Sequence, residues 1–114
     1  MTELLLPWPP SLNQCYRTHN GRVLISKSGR QYRELIANLA MINQWPKFGT
    51  VRLRVEIEAY PPDKRNRDLD NLFKILLDSL EKAGIYSDDN QIDDLQIIRG
   101  EVGGGFLKVW IEEI

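Results

Sequence analysis

Two stretches of the chain alternate apolar and polar residues, as expected for β-strands with one buried face. In the first, apolar side chains occupy every second position from Val51 to Ala59, and the positions between them are charged. In the second, the alternating apolar residues are Leu107, Val109 and Ile111. Because successive side chains of a strand point to opposite faces, both stretches predict strands that pack one face on a core and expose the other.

Three shorter segments, at residues 3–6, 22–25 and 93–99, are also predicted to be strands, bounded by proline, glycine or polar residues. The polar stretch at residues 13–22 predicts a loop. Three consecutive glycines at residues 103–105 predict a flexible turn before the last strand.

Two other stretches place apolar residues three or four positions apart, which is the period of an amphipathic helix. The first would begin after Ser26 or Ser28, either of which can cap a helix, and end before Pro46. The second would end at Gly84. The apolar positions are Tyr32, Leu35, Ile36, Leu39, Ala40 and Ile42 in the first helix and Leu69, Leu72, Phe73, Leu76, Leu77, Leu80 and Ala83 in the second. With the strands, these helices predict one α+β domain spanning residues 1–114, in which a small mixed sheet is covered by two main helices.

The length and composition fit a single domain of a reducing compartment. The chain has 114 residues, enough for one hydrophobic core without covalent staples. Its one cysteine, Cys15, has no partner for an intrachain disulfide. The first residues carry no basic export signal, and Pro7 interrupts their apolar run far short of the ~18 residues that span a bilayer. We therefore expect a cytoplasmic protein that is neither exported nor inserted into a membrane.

The net charge of −1 conceals two halves of opposite sign. Residues 1–67 carry 11 basic and 5 acidic side chains, whereas residues 68–114 carry 4 basic and 11 acidic ones. A basic half can hold a polyanion while an acidic half binds cations, although both could also be ordinary solvated surface. Basic side chains of the first half include Arg17, Arg22, Lys27, Arg30, Arg33, Lys64, Arg65 and Arg67.

Carboxylates gather at both ends of the second predicted helix. Asp68 and Asp70 enter it from an extended connector, so their side chains would point to one side. Asp88 and Asp89 follow its glycine stop. Four carboxylates brought together repel one another unless a cation lies among them, and Mg²⁺ prefers oxygen ligands of this kind. Two alternatives stay open: one of the first pair could simply cap the helix, and the second pair could lie in a solvated loop.

Several residues near these acids suit contact with nucleic acid. Lys74 lies one helical turn after Asp70, so it could form a surface ion pair with it or meet a phosphate oxygen beside a metal. Basic side chains next to a metal site would neutralise phosphates. Trp8, Tyr16 and Tyr32 could stack on unpaired bases or belong to the core.

Two segments of the chain resemble a known family, the RusA-type Holliday-junction resolvases, which are small endodeoxyribonucleases common in phages and prophages. LPWPPSLNQCYR at residues 6–17 is similar to the family's opening segment. RNRDLDNLFKILLDSLEKAGIYSDD at residues 65–89 is similar to its catalytic block, with DLDN, the lysine, the AG helix stop and the DD pair in the same order and spacing. Weaker similarity continues to the final strand, so the resemblance covers nearly the whole chain.

The resemblance implies roles for individual residues. Asp68, Asp70 and Asp89 would be the catalytic carboxylates that bind Mg²⁺, with Mn²⁺ as a possible substitute. Lys74 would be the catalytic lysine, and Lys74 and Arg67 would contact DNA. The role of Asp88 is left open by the resemblance.

The resemblance also implies a homodimer that resolves a four-way DNA junction by paired symmetric nicks, because two matched nicks in a two-fold symmetric substrate require two matched active sites. Two other functions stay open. The chain could bind junctions as an accessory protein without cutting them. It could also be a Mg²⁺-dependent phosphohydrolase that acts on flaps or nucleotides.

Overall fold

A computed structural model describes residues 2–114. The strands in the described part are β1 (Thr2–Pro7), β2 (Tyr16–His19), β3 (Arg22–Ile25), β4 (Leu53–Tyr60), β5 (Ile92–Arg99) and β6 (Phe106–Glu113). The helices are α1 (Leu12–Cys15), α2 (Lys27–Ile42) and α3 (Phe73–Lys82), with single 3₁₀ turns at Leu69–Leu72 and Asp89–Gln91.

The main sheet has four strands in the order β1, β6, β4, β5. Strand β6 is antiparallel to both β1 and β4, whereas β4 and β5 are parallel and are joined by the crossover that contains α3. The alternation in β4 has the predicted effect, since Leu53, Val55, Ile57 and Ala59 are all buried. The predicted α+β fold with a mixed sheet is therefore confirmed.

The long helices α2 and α3 pack against each other, and their apolar residues share one core with those of the sheet. The α2 N-cap is Ser26, whose Oγ accepts a hydrogen bond from the Gly29 amide at 3.2 Å. The buried stripe of α2 is narrower than predicted. Of the six predicted apolar positions, the three that are buried are Tyr32, Ile36 and Ala40, at spacings of four. Of the other predicted members, Leu35 and Ile42 lie outside this stripe and are 43% and 75% exposed.

The second predicted helix begins as the 3₁₀ turn and continues as α3. Leu72 of the turn and Leu76 and Leu80 of α3 are buried as predicted, and Ile75, which the predicted stripe omitted, is buried as well. The helix ends as expected, with Gly84 at a φ of 82°, the left-handed conformation that favours glycine after a helix.

The predicted loop at residues 13–22 is wrong. Its first part belongs to α1, in which the Ser11 Oγ caps the helix by accepting a hydrogen bond from the Gln14 amide at 3.2 Å. Residues Tyr16–His19 form β2, which pairs with the predicted strand β3 as a hairpin separate from the main sheet. Asn20 and Gly21 turn the hairpin with φ values of 51° and 75°, as a tight two-residue turn requires.

Among the described helices, none combines the length and the apolarity that crossing a bilayer would require.

Candidate active site

Three carboxylates meet where α3 ends and β5 begins. One oxygen each from Glu81, Asp88 and Asp89 lies within 4.8 Å of the other two. Glu81 belongs to α3, and Asp88 caps the following 3₁₀ turn, with its carboxylate accepting a hydrogen bond from the Asn90 amide at 2.9 Å. The buried Gln91 side chain accepts from the Asp88 amide at 2.8 Å. The turn therefore fixes the backbone that carries both aspartates.

Like charges surround the Asp89 carboxyl. Its pKa is raised, first by partial burial and then by the negative charges of Glu81, Asp88 and Asp78. The Asp89 amide nevertheless donates to the Glu81 Oε1 at 2.9 Å, which keeps the two acids adjacent. A hard divalent cation would remove this repulsion, and three carboxylates are a donor set that suits Mg²⁺ or Mn²⁺.

Asp68 and Asp70 lie at the opposite end of α3. Asp68 occupies the N-cap position of the 3₁₀ turn, in line with the alternative that one of the two acids caps the helix. Its side chain nevertheless makes no capping hydrogen bond within the described residues. Asp70 lies in the first turn, and both side chains are exposed. Because both carboxylates are exposed and Asp68 makes no capping bond, either could bind a ligand.

The structure does not bring all of the proposed metal ligands together in one chain. The ten residues of α3 span about 15 Å and separate Asp68 and Asp70 from Asp89. Glu81 joins Asp88 and Asp89 instead, a residue that the sequence reasoning missed. A signal was available, because an acid in the last turn of a helix opposes the helix dipole and needs another reason to be there.

Lys74 contacts Asp78 and Tyr16 rather than Asp70, the partner that its position in the sequence suggested. Its Nζ lies 3.7 Å from the Asp78 Oδ2 and 4.8 Å from the centre of the Tyr16 ring. The Tyr16 hydroxyl donates to the same Asp78 oxygen at 2.6 Å. The alternative ion pair with Asp70 does not form, because Asp70 lies in the 3₁₀ turn and the regular i, i+4 spacing of α3 starts only afterwards.

Basic side chains surround the Asp68 end. Arg67 pairs with Asp63 at 2.7 Å, which lowers the pKa of that carboxyl to about 2, and its guanidinium lies 5.7 Å from the Trp8 ring centre. Arg99 donates to the Arg67 carbonyl at 2.7 Å, which ties the end of β5 to this connector. The Arg65 guanidinium is more exposed than that of Arg67 and lies 3.7 Å from the Asp63 carboxylate, to which the Arg65 amide also donates at 2.9 Å.

A concave surface follows the same connector. A hollow of about 680 Å³ lies between the start of the chain and the 3₁₀ turn, and its lining includes Trp8, Gln14, Arg65 and Asp68. Asp68 also lines an adjoining hollow of about 580 Å³, together with Lys64 and Arg99. Trp8 and Tyr32, which could have stacked on bases or belonged to the core, differ in position. Trp8 lines the hollow, whereas Tyr32 is buried, and its hydroxyl donates to the Pro7 carbonyl at 2.7 Å.

The chain is similar to known proteins over almost its whole length. Residues 7–112 match the family described as Endodeoxyribonuclease RusA. A crossover junction endodeoxyribonuclease rusA of Enterobacteria phage HK97 is 42% identical over 113 residues, covering 98% of this chain and 94% of that protein. The protein of that name from Enterobacteria phage 82 is 39% identical, and the one from Escherichia coli strain K12 is 40% identical, with the same coverage of both chains. A family match of this extent, together with such identity, shows that the chain belongs to the RusA endodeoxyribonuclease family.

Proposed function

We propose that this protein is a divalent-metal-dependent endodeoxyribonuclease that resolves four-way DNA junctions as a homodimer. The relatives are named crossover junction endodeoxyribonucleases, which supports the reaction and the substrate. The observation that carries the metal dependence is the mutually repelling cluster of Glu81, Asp88 and Asp89. Asp68, Asp70 and Asp89 remain the proposed metal ligands, and Glu81 is added to them.

A second copy of the chain offers a way to unite these ligands. Strand β5 is an edge of the main sheet, so one of its sides has no partner strand within the described chain. Pairing β5 with the same strand of a second copy about a two-fold axis would run the two strands antiparallel. The start of β5 in one chain would then lie beside the end of β5 in the other.

The contacts of β5 place proposed metal ligands near both ends of the strand. Asp89 precedes the start of β5, and the 3₁₀ turn that carries Asp70 contacts β5, with Arg99 at the strand's end bonded to Arg67. Antiparallel pairing would therefore bring Asp89 of one chain towards the partner's Asp68 and Asp70. Each dimer would contain two such sites, one for each of two symmetric nicks.

Within each site the residues would divide the work. A bound Mg²⁺ or Mn²⁺ supplies an activated water and stabilises charge on the phosphate and the leaving oxygen. The aspartates would hold the cation through their carboxylate oxygens. The Lys74 ammonium offsets negative charge that builds on the phosphate, and Arg67, together with Lys64 and Arg65, neutralises neighbouring phosphates.

A cleavage assay with a labelled four-way junction tests this function. We expect paired nicks at symmetry-related positions with Mg²⁺ or Mn²⁺ and none with EDTA, while a flap, a linear duplex and free nucleotides are cut far more slowly. Tight junction binding without cleavage under any metal condition would identify an accessory protein instead. Equal cleavage of flaps or nucleotides would identify a general phosphohydrolase.

A further inference from the structure

Lys74 is held by one residue of its own helix and one residue from a distant part of the chain. Asp78 lies one turn further along α3, and Tyr16 is the first residue of β2, 62 positions before Asp78. We propose that Asp78 and Tyr16 are positioning residues that hold the Lys74 ammonium in place for phosphodiester cleavage. This inference rests on the proposed function, because it assigns Lys74 to that reaction.

The contacts restrict a side chain that would otherwise move freely. Lysine has a long flexible stem, and an ammonium at the surface normally samples many positions. Here the ammonium has a carboxylate on one side at 3.7 Å and the face of an aromatic ring on another at 4.8 Å. The Lys74 side chain is still 51% exposed, so the ammonium keeps an open side that can meet a phosphate oxygen.

The Tyr16 hydroxyl orients the carboxylate, while the Tyr16 ring packs against the ammonium. The hydroxyl donates to the Asp78 Oδ2, the same oxygen that faces Lys74, at 2.6 Å. Burial and the neighbouring Asp78 charge raise the Tyr16 pKa, so the hydroxyl remains a donor at neutral pH. Tyr16 therefore fixes the position of Asp78, and Asp78 fixes the position of Lys74.

A simpler reading is that the three residues form a surface ion pair and an anchor for the β2–β3 hairpin. The chain contains a comparable trio on the outer face of the sheet, where the Tyr60 hydroxyl bonds to Glu58 and Lys108 lies 5.5 Å from the Tyr60 ring centre. That trio has the same three chemical groups but does not involve α3. It provides a matched control.

The test compares Asp78→Asn and Tyr16→Phe, each alone and combined with Lys74→Ala, in single-turnover cleavage of a labelled junction at saturating enzyme and metal. The first change keeps an acceptor for the tyrosine hydroxyl but removes the charge, and the second keeps the ring but removes the hydroxyl. We expect Asp78→Asn to slow cleavage about 10-fold and Tyr16→Phe to slow it less, with junction affinity unchanged within about twofold. Tyr60→Phe should cleave at the wild-type rate.

The combined variants separate positioning from general structural damage. If Asp78 and Tyr16 act through Lys74, adding either change to Lys74→Ala should slow cleavage by less than about twofold further. Full additivity would overturn the proposal. So would an Asp78→Asn enzyme that cuts normally at saturating metal but requires more metal, because Asp78 would then act through the Asp89 cluster.

A second measurement does not depend on cleavage. In NMR spectra of the intact wild-type protein, the ε-methylene of Lys74 should show a ring-current shift from Tyr16 and restricted motion, and both should be lost in Asp78→Asn. A mobile, unshifted Lys74 would overturn the proposal even if the enzyme cuts junctions. An ordered Lys74 in a protein that cuts no junction would instead contradict the proposed function and its use of the lysine.

Discussion

The Asp89 amide donates a hydrogen bond to the Glu81 Oε1 at 2.9 Å, so two acidic side chains are held next to each other at the end of α3. The bond fixes an arrangement that electrostatics alone would oppose, since partial burial and then the Glu81 charge raise the pKa of Asp89. A protein that keeps such a pair must either tolerate the repulsion or bind a cation there. The two possibilities differ in measurable ways.

We expect Mg²⁺ or Mn²⁺ to raise the unfolding temperature of the wild-type protein by about 5 °C or more at a concentration well above the dissociation constant. Glu81→Gln and Asp89→Asn should remove most of this rise. In EDTA, the same variants should melt at or above the wild-type temperature, because one repelling charge is gone. Thermal unfolding with and without metal measures both effects.

Glu113→Gln is the control for this experiment, since Glu113 is an exposed carboxylate at the end of β6 and outside the cluster. Its response to metal should match that of the wild type. A metal response that survives in both cluster variants would mean that the cation binds elsewhere.

The Arg67–Asp63 ion pair predicts a specific dependence of stability on pH. The folded-state pKa of Asp63 is about 2, below the value of roughly 3.9 for a free aspartate. A depressed pKa stabilises the fold above the unfolded value, and the contribution is lost as the pH falls through about 4 towards 2. Asp63→Asn should therefore melt below wild type at pH 7, and the difference should shrink over that range.

Glu101→Gln serves as the comparison, because Glu101 is exposed and forms no ion pair within the described part of the chain. Its melting temperature should follow that of the wild type at every pH. A gap between Asp63→Asn and wild type that stays constant from pH 7 to pH 2 would show that packing around Arg67, rather than the charge of Asp63, accounts for the loss.

The helices and strands could be predicted where the hydrophobic period was long and regular, as in α2, α3 and β4. Strand β3 was predicted, but β2 and its pairing with β3 were missed, because β2 exposes most of its side chains and so shows no period-2 alternation. The Asn20–Gly21 dipeptide was the better signal, since this pair favours the positive φ values of a two-residue hairpin turn.

Candidate site residues could be named from the sequence, but the distances between them could not be predicted. Asp70 and Asp89 lie on either side of one helix in the sequence, and proximity between them depends on whether that helix returns the chain to the same end of the sheet. Because β4 and β5 are parallel, α3 carries the chain to the opposite end. The relative direction of two strands is a long-range property that hydrophobic periodicity does not contain, which is why the separation of Asp70 from Asp89 and the proximity of Glu81 to Asp89 were missed.

Asp70→Asn should separate catalysis from binding. The substitution keeps the size of an exposed side chain and removes one negative charge from the proposed metal site. We expect junction cleavage to fall by about a thousandfold or more, as for loss of a metal ligand, while junction affinity in a gel-shift assay stays the same or rises slightly. Glu34→Gln, which removes one charge from the exposed side of α2, is the control. Parallel loss of binding and cleavage would make Asp70 a structural residue.

Lys74 and Arg65 should affect different steps. Lys74→Ala should reduce turnover and leave the salt dependence of junction binding nearly unchanged. Arg65→Ala should weaken binding across substrates and reduce the slope of log affinity against log salt by about 0.9, the value for one phosphate contact. Filter binding at several salt concentrations, combined with single-turnover cleavage, measures both. A change in salt slope for Lys74→Ala would place the lysine among the binding residues instead.

Mixing two inactive variants tests whether each site is shared between chains. If Asp89 of one chain works with the partner's Asp70, an Asp70→Asn chain paired with an Asp89→Asn chain has one intact site and one site with both substitutions. Such mixed dimers should nick one strand of the junction, although each variant alone is inactive, and random subunit exchange should restore about a quarter of the wild-type nicking. Paired symmetric cuts should remain absent, because the second site of every mixed dimer carries both substitutions and is inactive. A site built within one chain would give no recovery at all, since every site in the mixture would then contain one substitution.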